Sequence, residues 1–277
     1  MRILLITFFL MILSACGGIR VPFEYTDIIV SSDDINTKIK NGIINIAYPN
    51  GKVEKPSNCS QAFAHYLATY NIPADSTEVP NRFPVGPVEP SAYADGVTGC
   101  ESVKTKEWLD SNVLVDGSFV TLATFTSDDL DTKQKRCADQ AEEVSLEDFK
   151  VNIKENDLTL SRVPDIRVFS DQYGRITEEQ LKDYGYNRNH RNLLMDIRGI
   201  GRSTTGEVTT DLEEYNIEDF AVRSYRTQDF VLSTKDLPLE VDSDKNELLL
   251  PTGRLVIDFS GAIKVDISVS SALSCRQ

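Results

Sequence analysis

The chain has 277 residues, 29 basic against 43 acidic side chains, a formal charge of −14, and 40% hydrophobic and 26% charged residues. This balance is typical of a folded globular protein and excludes a disordered chain, a collagen-like chain and a polytopic membrane protein. The excess of acid also makes nucleic acid a poor partner, because affinity for phosphates depends on Lys and Arg.

The first fifteen residues have the layout of a secretory signal peptide. Arg2 supplies the charged start, and the apolar run Ile3–Leu13 would span only about 16 Å as a helix, too short to cross a bilayer. The residues Leu13-Ser14-Ala15-Cys16 that follow resemble the lipobox of bacterial lipoproteins. Ordinary signal-peptide cleavage, after Gly17, is the alternative.

The resemblance implies that Cys16 receives a diacylglycerol, that the chain is cut before it and that the new amine is acylated. Buried acyl chains contribute about 0.8 kcal/mol per CH₂, so several of them hold a protein on a membrane almost permanently. Gly17 follows the cysteine, where this class carries Asp when it is retained at the inner membrane. The resemblance therefore favours an envelope protein anchored to the outer membrane, with residues 16–22 as a short tether.

The chain has five cysteines, an odd number for an oxidising compartment. If Cys16 carries lipid, the other four can form two disulfides in three connectivities. We favour Cys59–Cys100, which closes a proline-rich excursion, with Cys137–Cys275, which fixes the carboxyl terminus. Their wide spacing matches neither a redox motif nor a zinc site, so no metal is predicted.

The amino-terminal region, 23–145, is predicted to mix strands and helices. Strands are expected at Ile28–Val30 and Ile43–Tyr48, with turns at Asn41-Gly42 and Asn50-Gly51. A helix is expected from Asn58 to Tyr70 and an extended loop from Pro73 to Pro90. Further along, the pattern predicts a hairpin over Val113–Phe125 with its turn at Asp116-Gly117, then an amphipathic helix over Ser127–Val144.

The carboxyl-terminal region, 146–277, is predicted to be strand-rich. A capping box at Thr177–Gln180 indicates one brief helix, which Gly185 ends. Gly261 is expected to turn the last hairpin. The predicted strands are Phe149–Ile153, Leu158–Leu160, Asp165–Phe169, Leu193–Ile197, Phe220–Tyr225, Phe230–Ser233, Leu248–Leu250, Arg254–Phe259 and Ala262–Val269.

These elements predict a β-rich α+β fold, with antiparallel sheets in a sandwich- or barrel-like arrangement and a few short helices. The helices do not alternate with strands as βαβ units would, which argues against a parallel sheet. The two regions are either separate units or parts of one continuous domain.

Catalytic and cofactor signatures are weak. There is no Gly-x-Ser-x-Gly motif, and of the two histidines, His65 is expected in a helix core. The glycine spacing of Gly201–Gly206 lacks the Lys of a phosphate-binding loop. Asp242–Asn246 imitates the start of a calcium loop but lacks its glycine and final Glu, which favours a solvated turn between strands. No catalytic residue, metal or cofactor is therefore predicted.

One charge pattern offers a functional hypothesis. Four arginines follow two tyrosines, and an acidic stretch over 207–219 comes after them. The simpler interpretation pairs these oppositely charged segments as strands across the Gly201–Gly206 turn. The functional interpretation makes the group a contact for an anionic glycan or an acidic protein. Its members are Tyr184, Tyr186, Arg188, Arg191, Arg198 and Arg202.

The sequence therefore favours an envelope lipoprotein with a non-catalytic binding or structural accessory role. A membrane is its first partner, through the lipid, and a protein or anionic glycan its second. The alternative is an envelope hydrolase that acts on a cell-wall or glycan substrate with acids and hydroxyls brought together only by the fold.

Overall fold

A computed structural model describes residues 19–52, 54–71, 82–86, 97, 100, 102–115, 118–125, 143–170, 193–208 and 228–266. These residues form the β-rich α+β fold predicted from the sequence, with three antiparallel sheets and three short helices. The helices are α1 (Ser32–Ala47), α2 (Cys59–Asn71) and α3 (Thr105–Asn112), and one 3₁₀ turn covers Pro49–Gly51.

Eleven strands are described. In chain order they are β1 (Ile19–Ser31), β2 (Arg82–Pro84), β3 (Phe119–Phe125), β4 (Glu143–Asn156), β5 (Ile166–Ser170), β6 (Leu193–Ile197), β7 (Gly206–Val208), β8 (Gln228–Ser233), β9 (Glu240–Asp242), β10 (Glu247–Leu249) and β11 (Arg254–Asp266).

Each sheet joins strands from both halves of the sequence. Sheet A has the order β1-β11-β4-β7, sheet B the order β2-β10-β9, and sheet C the order β3-β8-β5-β6. The aromatic ring of Phe230 in sheet C lies 5.6 Å from that of Tyr25 and 5.4 Å from that of Phe259, both in sheet A. Sheets A and C therefore share one hydrophobic core.

Helix α1 replaces a strand predicted from its β-branched residues. Ser31 caps the helix, its side chain accepting a hydrogen bond from the Asp33 amide. Apolar side chains recur at every fourth position and are fully buried, which is the spacing of one helix face. They are Ile35, Ile39, Ile43 and Ala47. The strand predicted at Ile43–Tyr48 was wrong, because this stripe outweighs the β preference of single residues.

The expected turn at Asn41-Gly42 lies inside the same helix. Gly42 allows α1 to pack closely against Val113, because a Cβ at position 42 would lie 2.5 Å from a Val113 methyl group. The turn at Asn50-Gly51 is confirmed, with φ values of 58° and 70°. The helix predicted from Asn58 is confirmed as α2.

Neither of the two predicted hairpins, over Val113–Phe125 and at Gly261, is found; Asp116-Gly117, the expected turn of the first, lies outside the described residues. Val113 and Leu114 follow α3 and are buried, while β3 pairs with the distant β8. Gly261 does not turn the chain, because β11 runs through it and pairs with β1 on one side and β4 on the other. A bulge between Ser260 and Ala262 in the pairing with β4 absorbs the irregularity.

Several other elements have different bounds in the structure from those predicted. Ile19–Pro22, predicted as tether, begin β1, and Glu143–Val144, predicted as a helix end, begin β4. The loop from Pro73 contains the short strand β2, and Leu158–Leu160 are in no strand, although Leu158 and Leu160 are buried. The predicted elements at residues 127–142, 177–185, 220–225 and 267–269 lie outside the described residues.

No helix in the described part of the chain is both long enough and apolar enough to traverse a bilayer.

Candidate functional site

The outer face of sheet B forms the candidate site. In the three paired strands, Phe83, Leu248 and Val241 share one row, and Arg82, Leu249 and Glu240 share the next. Phe83 and Leu248 are buried, so on β2 and β10 the first row faces the core, and the second row faces outward. Leu249 thus forms the floor of an open depression of about 400 Å³, which we call the β9 groove.

Two chain segments together form one wall of the β9 groove. Thr159 and Leu160 lie on one wall beside Pro251 and Thr252. Thr159 donates its backbone N–H to the Thr252 carbonyl at 3.0 Å and accepts the Thr252 N–H on its hydroxyl at 2.9 Å. This reciprocal pair fixes the wall, so the groove has a rigid side as well as an apolar floor.

Three ion pairs surround the groove. Arg82 bonds to Glu247 at 3.0 Å, Arg202 to Glu240 at 2.8 Å, and Lys245 lies 3.7 Å from Asp242. Their side chains remain about a quarter to three-fifths exposed. Such exposed pairs contribute about 0–1 kcal/mol each. The groove is therefore balanced in charge, and its pairs can exchange for contacts with a ligand.

Strand β9 lies at the edge of sheet B, and no described strand pairs with its outer side. Val241, in the middle of β9, is 50% exposed, although the other two members of its row are buried. Ile29 on the edge strand β1 is the other large hydrophobic residue that is exposed among those whose side chains the structure describes. An open edge with an exposed valine is a surface on which an extended segment can add a strand.

The turn from β9 to β10 is the segment that imitates a calcium loop. Asp242 accepts hydrogen bonds on Oδ1 from the backbone N–H groups of Asp244 at 3.1 Å and Lys245 at 3.3 Å, and Asn246 has φ 54°. The interpretation as a turn between strands is confirmed. The described residues contain no group of three or more acidic, His or Cys side chains suited to a metal.

A second depression, of about 390 Å³, adjoins the groove at the start of α1 and shares Pro251 and Thr252 with it. Asn36 lines it and is 97% buried. Its Nδ2 donates to the Pro251 carbonyl at 3.0 Å, and its Oδ1 has no hydrogen-bond partner among the described residues. Arg254 lies beside this depression, and its hydrogen bonds to Glu155 raise its pKa further above the ordinary value.

The predicted site residues divide between described and undescribed positions. Arg202 lines the β9 groove, whereas Arg198 lies elsewhere, 3.6 Å from Asp165. Within the described residues the two charged segments do not pair with each other, because β6 pairs with β5 while β7 pairs with β4; residues 188–192 and 209–219 lie outside the described residues. Glu207 in β7 bonds instead to Lys150 at 2.9 Å and raises the pKa of that lysine. Tyr184, Tyr186, Arg188 and Arg191 lie outside the described residues.

Among the cysteines, the structure pairs Cys59 with Cys100, with Cα atoms 5.5 Å apart, as favoured from the sequence. Cys16, Cys137 and Cys275 lie outside the described residues. His65 lies on α2 against the ring of Tyr48 at 4.8 Å, and its buried Nε2 has no hydrogen-bond partner in the described structure.

The sequence did not predict Arg82, Glu240 and Asp242 as groove residues. Arg82 is more than 150 positions from the other two, so no local pattern joins them. The alternation of charged and apolar residues over Glu240–Asp242 was the one available signal of a half-exposed strand.

The comparisons with known proteins give no relative. No protein-family model matches the chain, and neither the curated proteins nor the solved structures contain a significant match.

Proposed function

We propose that the chain is an envelope lipoprotein, anchored through Cys16 at the outer membrane, that binds an extended segment of a partner protein in the β9 groove. The role is non-catalytic. The observation that carries the binding role is a charge-balanced groove with a hydrogen-bonded wall, beside an edge strand whose outer side pairs with no described strand.

Two features of the chain support the lipid anchor. The lipobox at Leu13–Cys16 supplies the acylation site, and the pairing of Cys59 with Cys100 leaves an even number of remaining cysteines once Cys16 carries lipid. The body begins at Ile19, only three positions after Cys16, so little free chain separates the two. An anchored body of this kind stays close to the membrane surface.

The balance of charge favours a protein segment over an anionic glycan. Each described cation of the groove already has a carboxylate of this chain, and an anionic ligand would have to displace it. An extended peptide can satisfy the outer edge of β9 through its backbone and place its apolar side chains near Val241 and Leu249. Its charged side chains would exchange with the exposed ion pairs.

We expect Cys16→Ala to release the protein from membranes. Without the thiol no diacylglycerol can be attached, and no other anchor is predicted. The measurement is fractionation of cells into membrane and soluble envelope proteins, with mass spectrometry of the mature amino terminus. Gly17→Ala is the matched control and should remain acylated. An unmodified amino terminus in the natural chain would contradict the anchor.

We expect a photo-crosslinking residue at position 241 to form an adduct with one protein partner in intact cells. The same residue at the exposed position 29 should not form this adduct, because Ile29 lies on a different sheet. Arg202→Glu places a carboxylate against Glu240 and should reduce the adduct at least several-fold. Lys52→Glu, an equal charge reversal at an exposed position outside the groove, should not.

The outcome also separates the partner classes. An adduct that protease removes supports the peptide, whereas one that only glycan-degrading enzymes remove points to a glycan and overturns the proposal. Equal yields of the crosslinked adduct from positions 241 and 29 would also overturn the proposal.

The hydrolase alternative depends on one observation. Glu240 and Asp242 lie on the same face of β9 within the groove, about 7 Å apart along the strand. Glycoside hydrolysis uses two carboxylates on either side of the reacting bond. Turnover of a cell-wall glycan that is lost in both Glu240→Gln and Asp242→Asn would favour the enzyme over the binding protein.

A further inference from the structure

Sheet A connects the expected lipid site with the β9 groove. At one end of the sheet, Ile19 of β1 pairs with Val265 of β11. At the other end, Ser31 of β1 pairs with Arg254 of β11, and Leu255 pairs with Asn156 of β4. Strand β1 has 13 residues. At about 3.3 Å per residue, the two ends are at most about 40 Å apart, since a bulge between Tyr25 and Ile28 interrupts the regular strand.

The groove belongs to the end of sheet A that is far from Cys16. Thr252 in the groove wall is two residues before Arg254. Asn156 donates its side-chain N–H to the Gly201 carbonyl at 3.0 Å, next to Arg202 of the groove. Asn36, at the start of the helix that follows Ser31, bonds to Pro251. One chain connection and two hydrogen bonds therefore fix the groove to the ends of β1, β4 and β11 that lie away from Ile19.

We infer that the β9 groove faces away from the anchoring membrane and takes a segment of a protein that is not embedded in that membrane. This rests on the proposed acylation of Cys16. Between Cys16 and Ile19 there are only two residues, and three peptide steps span at most about 11 Å. The end of sheet A at Ile19 is therefore held at the lipid surface, and the rigid length of the sheet separates the groove from it.

The tether leaves little freedom for the opposite orientation. To bring Thr252 to the lipid headgroups, the sheet would have to turn over or lie flat. The short tether prevents turning over, because it holds Ile19 within about 11 Å of Cys16, and charge opposes lying flat. The body is also acidic, so contact with anionic headgroups along its length is unfavourable. An upright sheet keeps most of that charge in water.

Energy transfer to the membrane tests the orientation. The acylated protein is placed in vesicles that contain a headgroup-labelled acceptor lipid, with a donor dye on Glu24→Cys or on Thr252→Cys. Both positions are exposed; Glu24 is closer to Ile19 than to Ser31 in β1, and Thr252 lies at the groove. We expect transfer to be several-fold higher from position 24. The chain without an added cysteine, treated in the same way, reports background labelling of the natural cysteines.

Flotation of the same samples separates two failures. If the protein does not float with the vesicles, the lipid anchor fails, and the orientation fails with it. If the protein floats but transfer from position 252 equals or exceeds that from position 24, the anchor stands and the orientation is overturned. A repeat at high salt shows whether charge contributes, since added salt screens the repulsion and should then reduce the difference between the two positions.

Discussion

Gly253→Ala is expected to lower the free energy of unfolding by about 3–5 kcal/mol, because it combines a clash with an unfavourable backbone conformation. Gly253 has φ +85°, a region that L side chains rarely adopt. A Cβ at this position would also overlap the backbone carbonyl of Asp157, whose carbonyl carbon would be 2.8 Å away. Backbone cannot move aside as the end of a flexible side chain can.

Relief of that clash would break a set of bonds around Gly253. Its carbonyl accepts from the Ser32 N–H at 3.1 Å, at the start of α1. Asp157 donates its N–H to the Arg254 carbonyl at 3.0 Å, and its side chain accepts from the Arg254 N–H. Movement of Gly253 would therefore disturb the helix start, and movement of Asp157 would disturb the pairing of β11 with the chain after β4.

Gly206→Ala is the matched control. Gly206 has φ +88°, but a Cβ there would meet nothing within 4 Å. Only the backbone strain remains, about 1–2 kcal/mol. Urea denaturation of the two variants and the natural chain measures both effects. Equal destabilisation by the two substitutions would show that the contact with Asp157 contributes nothing beyond the strain.

The sequence predicts well those elements whose pattern is local. The helix from Asn58 has a polar start and an apolar face, and β6 and β8 are short apolar runs, so each could be placed before the fold was known. The β-rich class followed from the number of such runs. In each of these elements, the residues next to one another in the chain decide the structure.

Prediction from the sequence fails where an element is determined by contacts with residues that are distant in the chain. Ile43–Ala47 are helical because their stripe packs in the core with α2, and Gly261 continues a strand because β1 and β4 pair with it on both sides. The groove could not be predicted for the same reason. Of its arginines, only Arg202 belonged to a visible cluster, and its ion-pair partner Glu240 lies 38 positions away.

Removal of the Cys59–Cys100 disulfide is expected to lower the free energy of unfolding by about 3–4 kcal/mol. The two cysteines are 41 residues apart, and the bond closes that loop in the unfolded chain as well as in the folded one. The crosslink lowers the conformational entropy of the unfolded chain, which raises the free energy of the unfolded state relative to the folded one. Cys100 is 97% buried in the main core, and its replacement by Ala also leaves a small cavity.

The bond also fixes the start of α2 beside α3. Ser60, next to Cys59, accepts a hydrogen bond from the Trp108 indole at 3.0 Å and donates to Asn112 at 2.8 Å. Trp108 is the single tryptophan of the chain, so its fluorescence reports on this contact directly. We expect Cys59→Ala/Cys100→Ala to lower the urea midpoint and to change the folded-state emission of Trp108.

Two measurements distinguish this pairing from the other connectivities. A non-reducing digest should yield the Cys59 and Cys100 peptides joined to each other. Cys137→Ala/Cys275→Ala is the matched double variant; it should leave the joined Cys59–Cys100 peptides and the Trp108 emission unchanged, whatever its effect on stability. A digest that joins Cys59 to Cys137 or Cys275 would contradict the pairing, because Cys100 could then no longer hold the start of α2 beside α3.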